Sequence, residues 1–436
     1  MWLYAERGRP RSDAHANSLS IDRRLDRMTP ESAPCHEPET VEGRPRLLAV
    51  SGVAPWPVRG GFSLRAAHLL EGLAVDWDVS LIVCESTDPT LAAWPAPNRH
   101  EITTVSLAAR WSPVPSGRDG FDLLRKAVEE AIARRQPDAA LLFNGSEFLA
   151  FDRRDFPPAV ADRIDCGALE RFRYIRRSRY LRPLKTIAET VAEARYERRL
   201  VRELNHTTVV GEDDAKVLRR VSGRDSIHVI HNGVHALDGP AFEEESGYPT
   251  VAFTGTLSYY ANVDAVRYFV REVWPSVRAR VEGARLVVAG RTPSKKVLAL
   301  EDSPGVEIRP DVSDMREVLR ESWVAVAPMR CGAGVKNKVL EAWAVGRPAV
   351  LLPRAANGLI FEEPASDLVA ATPAEFGDRV VRLLQDAELR HRHGAAAQDQ
   401  VRRRQTWARS AEALSDLLRT VARERFTSRD PIRTPV

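Results

Sequence analysis

Several things are scarce in this 436-residue sequence, and each scarcity removes a class of function. The four cysteines, Cys35, Cys84, Cys166 and Cys331, form no CxxC pair. They give neither a zinc site nor a disulfide framework, and they fit a reducing cytoplasm. No apolar run approaches the roughly 20 residues of a membrane-spanning helix, and the N-terminus lacks the apolar core of a signal peptide. The histidine pairs in "RHRHG" (390–394) and "HNGVH" (231–235) have no third ligand beside them, so they are read as structural. Asp76-Trp77-Asp78 has the form of a metal-binding DxD, but it precedes a predicted strand and is also read as structural. Excess charge is slight, +4 overall, too little by itself to imply nucleic acid.

What is present is a rhythm. Predicted strands in the first half are Arg46–Val50, Asp78–Val83, Ile102–Leu107, Ala139–Phe143, Val160–Ile164, Thr207–Val210 and Ile227–Ile230. In the second half they are Thr250–Thr254, Arg285–Ala289, Val306–Arg309, Val324–Ala327, Ala349–Leu352 and Leu368–Ala370. Helical patterns lie between most of them, for example Ser63–Val75, Phe121–Arg135, Val263–Arg280 and Asp314–Glu321. Such alternation predicts an α/β chain with parallel sheets covered on both faces. The rhythm breaks once, in an acidic, turn-rich stretch. The expected division is a disordered polar extension (1–45), a first doubly wound domain (46–235), a linker (236–249) and a second such domain (250–400). A C-terminal helix (401–424), read from a pattern over roughly Ala397–Arg423, and a loose tail (425–436) complete it. Met28 offers an alternative start.

In open parallel sheets, ligands bind beyond the carboxyl ends of the strands, so the loops there carry the chemistry. One of them is "MRCGAGVKNKVLEAWAVGRPAV", Met329 to Val350. Gly332 and Gly334 make a flexible loop before a helix expected at Val335–Val345, which Gly346 and Pro348 end. Lys336, Lys338 and Arg330 crowd the helix start, which is already partly positive. A phosphate or diphosphate bound there satisfies the helix end and the cations together. Glu341 follows Lys338 by three residues on nearly the same face, where a carboxylate can accept two ribose hydroxyls. The plainer alternative is a solvated helix carrying a Lys–Glu pair.

Other loops at strand ends could join it. Gly60 and Gly61 precede a helix and would let backbone amides approach an anion, or they are a mere turn. Gly255 ends a strand in "TGTLSYYANVDAV", with Asn262 expected as the next helix cap and Asp264 in its first turn. Gly290 and Arg291 end the following strand. A turn at Pro310–Val312 then leads to a helix capped by Ser313 or Asp314.

The segment "GAGVKNKVLEAWAVGRPAV" resembles the donor-site segment of the large retaining family of GT-B glycosyltransferases, of the group 1 type. "HVIHNGV", "FTGTLSYYANVDAV", the Gly60–Gly61 loop and "RQTWARSAEAL" match in the family's order, over roughly residues 46–420. The set is also similar to sugar transferases associated with exopolysaccharide clusters. The resemblance implies two Rossmann-like domains facing across a cleft and a C-terminal helix crossing back to the first. It implies a nucleotide diphosphate sugar as donor substrate, retention at the anomeric carbon, and no metal or other cofactor. It would place Glu341 on the ribose, Lys338 on the diphosphate, and the amides near Gly334 and Val335 on phosphate or sugar. The turn around Arg309, Asp311 and Val312 would flank the base, and Gly60 and Gly61 would close over the donor. The sequence departs from the family in three ways. Ala333 stands where many members carry a second glutamate, "TLSYYANVD" lacks their Arg and Lys, and "ALLFNGSEF" lacks their histidine, offering Asn144 and Ser146 instead.

No general base stands out; Asp162 and Asp165, with Asn144, are the first-domain candidates, and turn or capping roles compete for the two aspartates. The acceptor is a glycan, a lipid-linked sugar or a small molecule. The run "RFRYIRRSRYLRPLK", Arg171–Lys185, has seven cations, no acid and interleaved apolar residues. It could rest on anionic lipid at the inner face of a membrane; a solvated basic face or an acceptor-phosphate site are the other readings. A same-fold epimerase or hydrolase, and a catalytically silent nucleotide-sugar-binding scaffold, remain the alternatives to transfer.

Overall fold

The computed structural model of the chain describes residues 43–58, 60–83, 102–104, 118–144, 156–169, 172, 183–235, 247–332 and 336–424, all within one unit spanning 40–436. Most of the expected extension, most of the linker, the tail, most of Arg171–Lys185, and Gly334 and Val335 lie outside the described residues.

The first domain runs β1 (Arg46–Ser51), α1 (Gly61–Leu73), β2 (Asp78–Val83), β3 (Ile102–Thr104), α2 (Arg118–Arg135), β4 (Ala139–Phe143) and β5 (Ala159–Asp162). It ends with α3 (Pro183–Glu203), β6 (His206–Val209), α4 (Glu212–Ser222) and β7 (Ile227–Val229). Its strands pair in parallel in the order β3-β2-β1-β4-β5-β6-β7. Strands such as β2 and β4 are buried along their whole length, as runs covered on both faces must be.

The second domain runs β8 (Thr250–Thr254), α5 (Tyr260–Tyr268), a π turn (Phe269–Val273), α6 (Trp274–Arg280), β9 (Arg285–Gly290) and α7 (Lys295–Leu298). Then come β10 (Val306–Pro310), α8 (Met315–Glu321), β11 (Val324–Ala327), α9 (Asn337–Ala344), β12 (Ala349–Leu351), α10 (Pro353–Ala356), α11 (Pro373–Gln385) and α12 (Ala387–Arg404). Its parallel sheet has the order β10-β9-β8-β11-β12. Each sheet reverses direction once, between β1 and β4 and between β8 and β11. At such a switch point the flanking loops part and leave a crevice.

Three sequence expectations change. Leu368–Ala370 is not a strand: a short 3-10 turn, Ala365–Leu368, leads to one isolated bridge, Val369 to Leu351. The helix expected at Val263–Arg280 starts earlier and is interrupted by the π turn just before Pro275, whose ring cannot follow a regular turn and supplies no N–H. The final helical pattern is two helices, α12 and α13 (Trp407–Glu424). The break is filled by the "HNGV" stretch: Val234 N–H donates to the Gln405 carbonyl at 3.0 Å and Val234 pairs with Thr406. A Cβ on Gly233 would lie 2.1 Å from the Trp407 nitrogen, so only glycine lets these backbones touch.

Helix α13 lies on the first domain. Leu414, Leu418 and Val421 are buried in the same core as Leu69, Leu70 and Trp77. Trp77 Nε1 donates to Ser415 Oγ at 2.9 Å. Asp76 and Asp78 of the DxD look-alike face Arg419 at 3.6 Å and Arg135 at 2.7 Å, so that motif is structural.

Candidate donor site

Helix α9 begins at the carboxyl edge of β11, beside the second domain's switch point. Val339, Leu340 and Trp343 are buried at helical spacing and fix its inner face. Gly346, with φ +72°, ends it, and the amides of Gly346 and Arg347 fold back onto Trp343 and Ala342 at 2.9 and 2.8 Å. Its start is the unusual end. Lys336 occupies the cap position, no side chain caps the helix, and no acid stands in its first turn. The first amides of a helix have no partner within it, so this end suits an anion.

Lys338 is held by two partners. Its Nζ donates to Asn262 Oδ1 at 2.8 Å and lies 3.7 Å from the Phe253 ring centroid. Asn262 Nδ2 donates to the Thr256 carbonyl at 2.8 Å. Gly255 makes room for this pair: a Cβ there would stand 2.9 Å from Asn262 Nδ2 and 3.0 Å from Lys338 Nζ, at φ +142°. Gly290 makes room for Gly255, because its own Cβ would fall 1.6 Å from the Gly255 carbonyl oxygen. Two of the glycines expected at the site thus serve Lys338 in series. Burial, then repulsion by Lys336, drives the Lys338 ammonium down to about 7, against a smaller upward pull from Glu341.

Lys336 is buried, and its Nζ comes near Gly332. Around the position of a Cβ on Gly332 lie Ala261 Cβ at 3.0 Å, Tyr259 Oη at 3.4 Å and Lys336 Nζ at 3.5 Å. Glu341 lies one turn deeper. Its carboxylate makes no hydrogen bond to any described residue; burial raises its pKa, while Lys338 and Arg316 pull it down. Arg316 itself is clamped on Asp314 at 2.7 Å.

Other expected residues are placed as follows. Arg330 turns to Asp264 at 3.1 Å and lies 4.5 Å over the Tyr268 ring, so its guanidinium is engaged by those two residues. Arg309 pairs with Glu307 and Glu321 at 2.6 and 2.7 Å. Asp311, at φ +52°, accepts from the Thr292 amide at 3.0 Å and closes the loop after β9, with Val312 packed on the core. Arg291 reaches across to the first domain, donating to the Val58 carbonyl at 3.4 Å. Gly60 and Gly61 have open space where a side chain would stand, and Gly60 is fully extended, so nothing described in the fold demands glycine there. Asn262 is not a helix cap: α5 starts at Tyr260, and Asn262 turns inward to Lys338.

Among the base candidates, Asp162 is corrected. It is wholly buried, both oxygens bind Arg65 at 2.8 and 2.7 Å, and Oδ1 also accepts from Thr208 at 2.6 Å. No edge of it is left for a substrate proton. Asp165 sits in the turn after β5, and Asn144, at φ +77°, ends β4 at the first domain's switch point.

Sequence reading missed a polar chain between the domains. Arg65 Nη1 donates to Asn232 Oδ1 at 2.8 Å, and Asn232 Nδ2 donates to Asn337 Oδ1 at 2.9 Å. "HNGV" was visible as a motif, but nothing in the sequence said that its asparagine meets the first residue of α9. His231 beside it lies 3.0 Å from the Gly358 carbonyl and so also bridges the domains.

The family model described as glycosyl transferases group 1 matches residues 248–386. No curated protein sequence matches the chain. Among solved structures, the chain resembles S. aureus TarM at 10% identity and TM-score 0.64, over 88% of this chain and 100% of that one. It resembles a sucrose-phosphate synthase from Thermosynechococcus elongatus at 15% identity and TM-score 0.64, over 87% and 100%. It also resembles Anabaena HepE, solved in complex with UDP and glucose, at 11% identity and TM-score 0.60, over 86% and 100%. The second domain of this chain is therefore a group 1 glycosyltransferase domain, carried on the two-domain GT-B fold.

Proposed function

We propose that the chain transfers a sugar from a nucleotide diphosphate sugar to a hydroxyl of a glycan, lipid-linked or small-molecule acceptor, with retention at the anomeric carbon and without a metal ion. The observation that carries this reading is the start of α9: an uncapped helix end, a buried and a half-buried lysine, and a carboxylate three residues on that binds no described residue. HepE, of the same fold, is solved with UDP, which supports the donor class. In this reading the diphosphate lies on α9, Lys336 and Lys338, and the ribose hydroxyls on Glu341. As the glycosidic bond breaks, charge grows on the leaving diphosphate, and preorganised amides and ammonium groups lower the barrier. Gly60 and Gly61 bring the amides at the start of α1 against the same group from the first domain.

The test is acceptor-dependent release of nucleotide, with the product anomer read by NMR. The reading expects the anomeric configuration of the donor to persist and activity to survive EDTA. An inverted product, or activity lost to EDTA and restored by a divalent ion, contradicts it. Nucleotide released at the same rate without acceptor selects the hydrolase or epimerase reading.

A lipid-linked acceptor is favoured by the outer face of α3. Ile187 and Val191 are exposed one turn apart, and Arg195, Arg198 and Arg199 are exposed on the turns that follow. This face continues, in sequence, the basic and aromatic run Arg171–Lys185. Arg199 is paired with Glu203 at 2.9 Å, and apolar side chains beside exposed arginines suit an anionic membrane surface. The protein should pellet with phosphatidylglycerol vesicles and lose this when the cluster is neutralised; unchanged pelleting refutes the contact.

A further inference from the structure

We propose that Asn337 is a donor-binding residue whose amide N–H group is aimed at the distal phosphate of the nucleotide by a buried polar chain rooted in the first domain. The inference rests on the donor site argued above and adds a residue and a device to it.

Asp162 and Arg65 are both fully buried and bind each other through two hydrogen bonds, 2.8 and 2.7 Å. Arg65 has one arm left, Nη1, and a guanidinium has only donors. The group it meets must be an acceptor, so Asn232, itself 4% exposed, turns its amide oxygen to Arg65 at 2.8 Å. That leaves Asn232 only N–H groups to offer on its far side. Asn337 must answer with its own oxygen, and does so at 2.9 Å. Polarity is thus passed through two amides with no freedom to flip. The end of the chain is the Asn337 NH2 group, which has no hydrogen-bond partner among the described residues.

In the chain Asn337 comes between the two lysines, as the first residue of α9. A donor there complements phosphate oxygen and repels a cation. Had the chain begun on an acceptor instead of Arg65, Asn337 would show its oxygen to the anion. Asn232 belongs to the first domain and Asn337 to the second, so the favourable orientation is enforced when the two meet. Asn232 is accordingly a positioning residue and Asn337 a contact residue.

Calorimetry with UDP, GDP, dTDP and ADP identifies the nucleotide that wild type binds, and that nucleotide is the probe. Asn337→Ala should weaken it by about tenfold, the order expected for a hydrogen bond to a charged group. Asn337→Asp keeps the oxygen that Asn232 needs but turns a carboxylate to the phosphate, and it should weaken binding further than alanine does. Asn232→Ala should weaken binding in wild type and have little effect in the Asn337→Ala background. Unchanged melting temperatures keep these effects apart from unfolding. Asn337→Asp binding like wild type, or Asn232→Ala costing the same in both backgrounds, would overturn the proposal. If Lys338→Ala abolishes binding while the asparagine variants do not change it, only this inference fails. If folded wild type binds none of the four nucleotides, the donor site itself is misassigned and the inference falls with it.

Discussion

Lys338 occupies a place that disfavours its own charge, and this has consequences that pH can read. Its free-state pKa falls from 10.5 to about 7, chiefly through burial and then through Lys336. The sign follows for stability: the fold disfavours the protonated lysine, so this group's stability is fully present above the unfolded-chain pKa of 10.5 and is lost as pH falls from there toward 7. For binding the sign reverses, because a diphosphate favours the ammonium. Nucleotide binding above pH ~7.5 should take up close to one proton, and affinity should fall by up to about tenfold per pH unit from there. Calorimetry in two buffers of different ionisation enthalpy measures the uptake, and a binding heat that does not depend on the buffer would contradict it. The glycines separate at the same scale. Gly290→Ala drives a Cβ to 1.6 Å from a carbonyl oxygen and should cost at least about 3 kcal/mol in denaturant unfolding. Gly60→Ala meets open space and should leave stability nearly unchanged while lowering activity. Lys338 and Glu341 stood out in the sequence because cations at a helix start suit an anion, and the structure places both in the first turns of α9. Asn262 and Arg330 were misread because their partners, Lys338 and Asp264, are distant in sequence, 76 and 66 residues away.

At the scale of elements, the packing of α13 decides whether the first domain is closed. Its buried stripe of Leu414, Leu418 and Val421 covers α1, and Gly72 allows the approach, since a Cβ there would lie 2.3 Å from Ala411 Cβ. Leu414→Ala and Leu418→Ala should each destabilise by about 2–5 kcal/mol, measured by urea unfolding, as buried leucines elsewhere do. If either costs under about 1 kcal/mol, α13 is an appendage and not part of that core. Strands were read well because a run buried on both faces leaves an uninterrupted apolar signal. The split of the last helical pattern was not legible. Gln405 and Thr406 carry no breaker, and the break exists because the "HNGV" backbone crosses there.

For the whole molecule, two sheets with the same strand logic present their switch points, and the residues at those points come from loops far apart in sequence. That much was visible from the βαβ rhythm and from the rule that ligands sit beyond strand ends. What joins the halves was not: Arg65–Asn232–Asn337, His231 to Gly358 and Arg291 to Val58 are pairings of polar groups with no local signature. The proposed activity stands or falls on whether the start of α9 binds a nucleotide diphosphate. The most direct test is calorimetric titration of UDP, GDP, dTDP and ADP into wild type, Lys338→Ala and Glu341→Ala. The account predicts that wild type binds one base in preference, that Lys338→Ala loses it, and that Glu341→Ala weakens it by about ten- to hundredfold through lost ribose hydrogen bonds. Folded wild type that binds none of them, or variants that bind as wild type does, would contradict it.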